Sequence, residues 1–401
     1  MSIFDLFRRK KKISAPWSKY YTKEELDIKI PNISMYKQMK KSARKYPGNV
    51  AIEYMTTKIK YKRLVKLVDK ACFSLKKLGI KKGDIVTICL PNVPEAIILL
   101  YALNKIGAIA SMLHPLSAEA EIKNSVNQTN SKLLFILDKF YNKVENVTDN
   151  MCVQKIIFVS PADSLNFFVK IIYDLKEYKT FKHHPKNKKY LSYKRFFNMS
   201  LFKKDNNSYG NGKNTPAVIL QSGGTSGKPK NIVLQNRAFI LGSMQEVNCL
   251  HLTDKDSCLA IMPNFHGFGL SVCMHTPIAI GAKTILIPQF NGKKFDTLFK
   301  KTKPSIVLGV PTLFEALVTY KNEEKLDLSF LRYAISGGDA LSKSLEDKVN
   351  AFLKEHNSKA KITQGYGCSE ALAAVCLGYD NVNKSGSIGI GGHRPGGGGP
   401  C

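Results

Sequence analysis

Asp84-Ile85-Val86-Thr87-Ile88-Cys89-Leu90, then Pro94 to Ile106, then Gly107 and the run Ala108 to Leu113, is the stretch on which the fold turns. The first segment is too short for a helix and rich in β-branched residues, so it reads as a buried strand. Pro94 suits the first turn of a helix, and Gly107 suits a left-handed cap after its last turn. Ala108 to Leu113 reads as a second strand. A strand, a helix and a strand of these lengths make a β-α-β unit, which implies a parallel sheet covered by helices. The fold class is therefore α/β.

Working outward, Ser34 to Lys45 has helical spacing, and Val50 to Tyr54 followed by Ile59-Lys60-Tyr61 reads as a hairpin. Lys62 to Leu78 reads as a helix ending at Gly79. Downstream, a helix over Ala118 to Gln128 and a strand over Leu133 to Leu137 repeat the alternation. Between about 140 and 215 the pattern dissolves into lysine-rich and asparagine-rich segments with apolar pieces such as Phe167 to Ile172, and no function attaches to them. From Pro216 the alternation returns, with strands near Val218 to Leu220, Ile232 to Leu234, Ser257 to Ile261, Lys283 to Ile287 and Ile306 to Val310.

With 401 residues, 44% of them hydrophobic, the chain exceeds what one core usually organises, and a large multi-lobed domain is expected. The longest apolar candidate, about Val93 to Leu113, carries Glu95, Asn104 and Lys105, which argues against a membrane span and for a cytoplasmic protein. The nine cysteines are scattered and form no C-x-x-C pair, so neither a zinc site nor a disulfide framework is indicated. A net charge of +30 would ordinarily point to nucleic acid or an anionic membrane. The lysines are spread along the whole chain beside abundant asparagine and isoleucine, so the reading is a solvated surface with biased codons and no nucleic-acid partner. The tail is the exception: Phe4, Leu6 and Phe7 beside Arg8 to Lys12 form a candidate for peripheral contact with an anionic bilayer. The expected division is a basic tail over residues 1–20, a large domain over 21–390 and an aberrant glycine-rich end over 391–401.

The strongest local signal is Gln221-Ser222-Gly223-Gly224-Thr225-Ser226-Gly227-Lys228-Pro229-Lys230, between two expected strands. Three glycines let backbone amides converge and three hydroxyls add donors, a combination able to hold phosphate oxygens. It is not a Walker loop: Ser222 stands where that spacing needs glycine, and Pro229 follows Lys228 where a serine or threonine should open a helix. The bland alternative is a hydroxyl-rich hairpin tip.

The loop resembles the phosphate loop of the adenylate-forming superfamily, which includes acyl-CoA synthetases, luciferases and adenylation domains. Three further motifs follow in that family's order: Pro263-Asn264-Phe265-His266-Gly267-Phe268-Gly269, Ser336-Gly337-Gly338-Asp339-Ala340-Leu341-Ser342 and Gln364-Gly365-Tyr366-Gly367-Cys368-Ser369-Glu370. With Gly83-Asp84 through Pro91-Asn92 upstream, the likeness covers roughly residues 40 to 390. It implies the fold of that family's large domain, with helix-covered mixed or parallel sheets.

By resemblance, Ser222, Gly223, Gly224, Thr225, Ser226, Gly227 and Lys230 would bind nucleotide phosphates, with Thr225 catalytic. Gly338, Asp339 and Ala340 would line the adenine edge, Tyr366 would stack on adenine among Gln364, Gly365 and Gly367, and Ser369 would contact the α-phosphate. Glu370 would coordinate magnesium. His266 would stand beside the acyl and pantetheine channel, with Phe268, Val310, Pro311, Leu313 and Phe314 as apolar lining. Amino-acid-activating relatives usually place an aspartate where His266 stands, which disfavours amino acids here.

The implied reaction is activation of a carboxylic acid, a fatty acid first among candidates, with ATP, magnesium and CoA as cofactor and co-substrates. Loading of a carrier protein, or a non-catalytic nucleotide- or acyl-binding module, are the alternatives. The family pattern continues with a ribose-binding aspartate, a hinge and a small lid carrying a catalytic lysine. None of these follows Gly389, so a chain that binds nucleotide but turns over poorly is expected.

Overall fold

A computed structural model describes residues 19–22, 29–165, 187–200, 211–222, 229–292, 295–319, 326–379 and 382–391. Ser34 caps α1 (Met35–Lys45), its hydroxyl accepting from the Lys37 amide. β1 (Val50–Tyr54) and β2 (Thr57–Lys60) form the expected hairpin. Tyr61, read from sequence as strand, instead opens α2 (Tyr61–Lys77). Burial explains the difference: its ring is fully enclosed and its hydroxyl donates to the Ala282 carbonyl at 2.6 Å.

β3 (Ile85–Cys89), α3 (Pro94–Ile106) and β4 (Ile109–Met112) are the predicted unit, with the strands parallel and Gly107 at φ +84° capping the helix. α4 (Glu119–Gln128) and β5 (Leu133–Leu137) follow. The illegible region contains α5 (Tyr141–Glu145), β6 (Lys155–Val159), β7 (Tyr190–Ser192) and α6 (Tyr193–Asn198). Residues 167–172 lie outside the described residues, as do the basic tail up to residue 18 and the glycine-rich end from 392.

The second half runs through β8 (Pro216–Ser222), β9 (Lys230–Gln235), α7 (Asn236–Cys249) and β10 (Ser257–Ala260). A π-helical stretch, Phe268–His275, leads into α8 (Thr276–Ile280) and β11 (Lys283–Leu286). Then come α9 (Phe295–Thr302), β12 (Ile306–Gly309), α10 (Pro311–Thr319), β13 (Tyr333–Gly337), α11 (Lys343–Glu355), β14 (Ile362–Cys368), β15 (Ala373–Leu377) and β16 (Ile390–Gly391).

These strands build two sheets. One has the order β7-β6-β5-β3-β4-β8-β9, parallel throughout except for the antiparallel hairpin β8–β9. The other has the order β16-β15-β14-β13-β12-β10-β11-β1-β2, with a parallel centre from β1 to β14 and antiparallel strands at each edge. The sheets are mixed, and helices cover them.

Every residue of α3 is buried, as a helix apolar on nearly all sides must be. Its polar residues are matched. Lys105 Nζ meets Asp69 Oδ1 at 2.9 Å, and Asn104 accepts from the Tyr36 amide at 2.9 Å while donating to Asn236 Oδ1 at 2.8 Å. Asn236 also accepts from the Met35 amide and donates to the Gly212 and Thr215 carbonyls, so one asparagine pair joins α1, α3, α7 and the start of β8. Among the described residues no helix is long and apolar enough to cross a membrane, and no disulfide forms.

Candidate active site

Three of the four motifs lie where parallel strands of the nine-stranded sheet end, the edge at which open α/β sheets hold ligands. β13 ends at Gly337 and pairs there with Gly365 of β14. A side chain at Gly337 would come within 3.2 Å of the Gly365 carbonyl and 3.4 Å of the Phe268 ring, so glycine lets the ring lie against the strand. Gly338 takes φ +84°, a conformation that favours glycine, and turns the chain so that Asp339 and Ala340 stand exposed. Asp339 Oδ1 accepts from the Ala340 amide at 2.7 Å, and the nearly buried Gln364 accepts from the Leu341 amide at 3.3 Å, bracing the turn from beneath. Tyr366 is 52% exposed, a large aromatic face left open beside this turn.

A clamp between the sheets sets the aromatic motif. Asn92, after β3, donates to the Ala260 and Met262 carbonyls at 2.9 and 3.0 Å and accepts from the Asn264 amide at 2.9 Å. Asn264 in turn donates to the Pro91 carbonyl at 2.7 Å. Asn92→Ala strands the Met262 carbonyl and the Asn264 amide, while the Ala260 carbonyl keeps the Ile287 amide, so it should lower stability by about 1–3 kcal/mol. Chemical denaturation of both proteins measures this; an unchanged midpoint would mean that the clamp bears no load.

His266 follows the clamp and lines a narrow cavity of about 50 Å³ with Phe268, Gly337, Gly338, Tyr366 and Ser369. Burial holds its pKa below the ordinary histidine value, and its Nδ1 accepts from the Phe268 amide at 3.3 Å, which assigns the ring proton to Nε2. Val310 adjoins Gly338, whose Cβ position lies 3.4 Å from a Val310 methyl, and Pro311 opens α10. Leu313 and Phe314 pack into a separate core with Phe295 and Phe299, leaving Leu308, Ile335, Val272 and Leu377 as the apolar wall of the cavity.

Glu370 is exposed on a short 3-10 turn, Ser369–Ala371, that packs against both β8 and β9. Ser222 pairs with Lys230 at the open end of that hairpin, so the stem of the glycine-rich loop rises beside the turn. Gly223, Gly224, Thr225, Ser226 and Gly227 lie outside the described residues. Glu370 lines a wider cleft of about 320 Å³ together with Arg237, Gln245 and Leu372. No group of three or more metal-ligating side chains occurs among the described residues. A lone carboxylate facing a roomy cleft suits magnesium, which commonly takes its other ligands from phosphates and water.

The AMP-binding enzyme family matches residues 39–394. The chain belongs to that family. This AMP-binding family member is 26% identical over 387 residues to a long-chain-fatty-acid–CoA ligase of Bacillus subtilis (strain 168), covering 93% of this chain and 67% of the relative. It is 28% identical over 320 residues to the 4-coumarate–CoA ligase CCL1 of Humulus lupulus, covering 77% of this chain and 53% of the relative. The chain thus spans between about half and two thirds of the length of these curated relatives. Among solved structures, the anthranilate CoA ligase AuaEII in complex with anthranoyl-AMP superposes with TM-score 0.77 at 19% identity, covering 92% of this chain and 65% of that one. A long-chain-fatty-acid-CoA ligase, FadD1, from Archaeoglobus fulgidus gives TM-score 0.75 at 19% identity, covering 87% and 67%. The adenylate-forming fold expected from the motifs is the fold observed.

Sequence reading of this AMP-binding family member missed Arg237 and Glu246. Glu246 is 4% exposed, and Thr276 donates to its Oε2 at 2.6 Å. Burial pushes its carboxyl up to about 8, against an ordinary value near 4.5. The signal was present in the register: Phe239, Ile240, Ser243, Glu246 and Cys249 share the buried face of α7, where an acid is out of place. Because the folded chain keeps a proton that the unfolded chain releases above pH 4.5, this group's contribution to stability falls as pH rises from about 5 to 8. Glu246→Gln should flatten that slope and gain on the order of a few kcal/mol at pH 8 relative to pH 5. Urea titrations of both proteins across that range test it, and parallel curves would contradict the buried neutral acid.

Proposed function

We propose that this chain is the nucleotide- and acid-binding domain of an acid–CoA ligase that works through an acyl-adenylate. A carboxylate oxygen attacks the α-phosphorus of ATP, the bond from that phosphorus to the bridging oxygen breaks, and diphosphate leaves. The thiol of CoA then adds to the acyl carbonyl, AMP leaves, and the thiol proton passes to solvent. Two anions must meet in the first step, so positive charge and oriented donors are required where negative charge builds.

The observation that carries the reading is that three motifs stand together beside the stem of the fourth, the glycine-rich loop. The exposed Tyr366 and the Gly338 turn offer a face and an edge for adenine, and Glu370 stands beside the stem of the loop that would hold the phosphates. Magnesium held by Glu370 would neutralise phosphate charge. Ser369, Lys230 and the loop residues, Thr225 among them, would orient the phosphates, and His266 would face the acyl group. The apolar wall supports an acid with a mainly hydrocarbon body, in keeping with the fatty-acid and 4-coumarate ligases among the relatives.

The test is calorimetric titration of magnesium-ATP into the wild type and into Thr225→Ala and Tyr366→Ala. Each variant should bind at least about fivefold more weakly, through loss of a phosphate donor or of base stacking. Wild-type affinity in both would remove the nucleotide assignment.

A further inference from the structure

We infer that the face built from α1, α2 and the edge strand β2 is a docking surface for an anionic lipid bilayer. This goes beyond the acid–CoA ligase reading and holds or fails without it. Across the whole chain bases outnumber acids by 61 to 31, but between Met35 and Gly83 they do so by 15 to 2. Both of those acids are occupied: the buried Glu53 meets Lys283 Nζ at 2.9 Å, and Asp69 meets Lys105 Nζ at 2.9 Å. No carboxylate of this segment is exposed. Folding gathers the bases. On α1, Lys41, Arg44 and Lys45 are exposed on the side away from the buried Met35, Met39 and Ser42. On α2, Lys62, Arg63, Lys66 and Lys77 are exposed on the side away from the buried Leu64, Val68 and Leu75. Lys58 and Lys60 are exposed on β2, on either side of the buried Ile59. α1 packs against α2, and α2 packs against both β2 and α6, where Lys194 and Arg195 are exposed as well. The basic stripes therefore adjoin.

Charge of one sign over neighbouring elements calls for a partner of the other sign. The side chains between the bases select a lipid surface over a nucleic acid. All five aromatic residues of the segment, Tyr36, Tyr46, Tyr54, Tyr61 and Phe73, are buried or half-buried, so no ring is offered for a base to stack on. The large apolar group left in the open is Met55, 44% exposed at the tip of the β1–β2 hairpin. Its unbranched, flexible side chain suits the boundary between headgroups and acyl chains. α1 also packs against α7, whose Arg237 and Gln245 wall the wider cleft. A molecule resting on this face thus holds that cleft close to the lipid in which an apolar acid dissolves. The even scatter of lysine along the sequence conceals the face, because what sets it apart is the lack of acids.

The test is co-sedimentation of the full chain with vesicles of phosphatidylcholine alone and of phosphatidylcholine with about 30% phosphatidylserine, at about 0.15 M salt and without nucleotide or acid. The wild type should bind the anionic vesicles at least about tenfold more tightly than the neutral ones. Each base near such a surface contributes roughly fivefold, so Lys62→Gln, Arg63→Gln and Lys66→Gln together should weaken that binding by about tenfold or more. Lys348→Gln, Lys354→Gln and Lys359→Gln remove the same charge from exposed positions on and just after α11, which packs against α10 and β14 instead. That second triple variant should bind within about twofold of the wild type, since charges beyond a Debye length are screened. Equal binding of the wild type to both kinds of vesicle overturns the docking face. So does wild-type affinity in the α2 variant, which would move the attraction to the basic tail, and so do equal losses in the two triple variants, which would reduce it to net charge. A DNA duplex that binds the wild type more tightly than the anionic vesicles, and the α2 variant less tightly than the wild type, would assign the face to nucleic acid and overturn the lipid partner. None of these outcomes touches the ligase reading, which stands or falls on magnesium-ATP binding.

Discussion

Glu370→Ala is expected to weaken magnesium-ATP binding by about tenfold to a hundredfold and to erase the difference between titrations with magnesium and with a chelator. Losing a hydrogen-bonded or metal-bridged charge commonly costs about 1.5–3 kcal/mol, and roughly 1.4 kcal/mol is a factor of ten. Glu370 is exposed on its turn, so its removal leaves the core intact. The thermal midpoint without ligand should therefore match the wild type, which separates lost binding from lost structure. Equal affinity with and without magnesium in the wild type would show that Glu370 holds no metal.

Gly269→Ala is expected to be the most damaging single substitution by an unbranched side chain near the site. A Cβ there would lie 2.1 Å from the Pro263 carbonyl oxygen and 2.4 Å from that of Met262. Both obstacles are backbone atoms, and the Asn92 clamp holds that segment from its other side. Relief must come from displacing the π-helical stretch, at a cost of about 3 kcal/mol or more. Because Phe268 and His266 adjoin it, the same change should disorder the narrow cavity. Denaturant unfolding followed by far-UV circular dichroism would measure the loss, and a wild-type midpoint would refute the close approach.

Much of this architecture was legible because local signals agreed with one another. Pro94 and Gly107 bound α3 as read, and Leu133–Leu137 is the strand its composition indicated. β6 was missed because Ile156 to Val159 is a continuous apolar run set in lysine-rich sequence, without the alternation that marks a half-exposed strand. Tyr61 was misassigned because its place depends on a carbonyl more than two hundred residues away. The candidate nucleotide-site residues stood out for a different reason: clustered glycines and hydroxyls beside a tyrosine are an unusual combination in sequence. Glu246 announces little by type, and only its register on the buried face of α7 marks it.

The seven-stranded sheet is built entirely from chain lying between β2 and β10, so it is an insertion into the nine-stranded one. β1 finds its parallel partner only in β11, where Ile52 lies beside Thr284. During synthesis at about 5–20 residues per second, the hairpin β1–β2 emerges roughly 10–50 s before that partner exists. Until then one edge of β1 offers unpaired backbone groups to any other strand nearby, a template for misassociation between neighbouring nascent chains. The inserted sheet, whose strands are close in sequence, can form first and present α3 as a surface for the hairpin to wait against. Folding of this protein should accordingly be slow, ordered from the inside of the chain outward, and sensitive to the availability of chaperones that shield a strand edge.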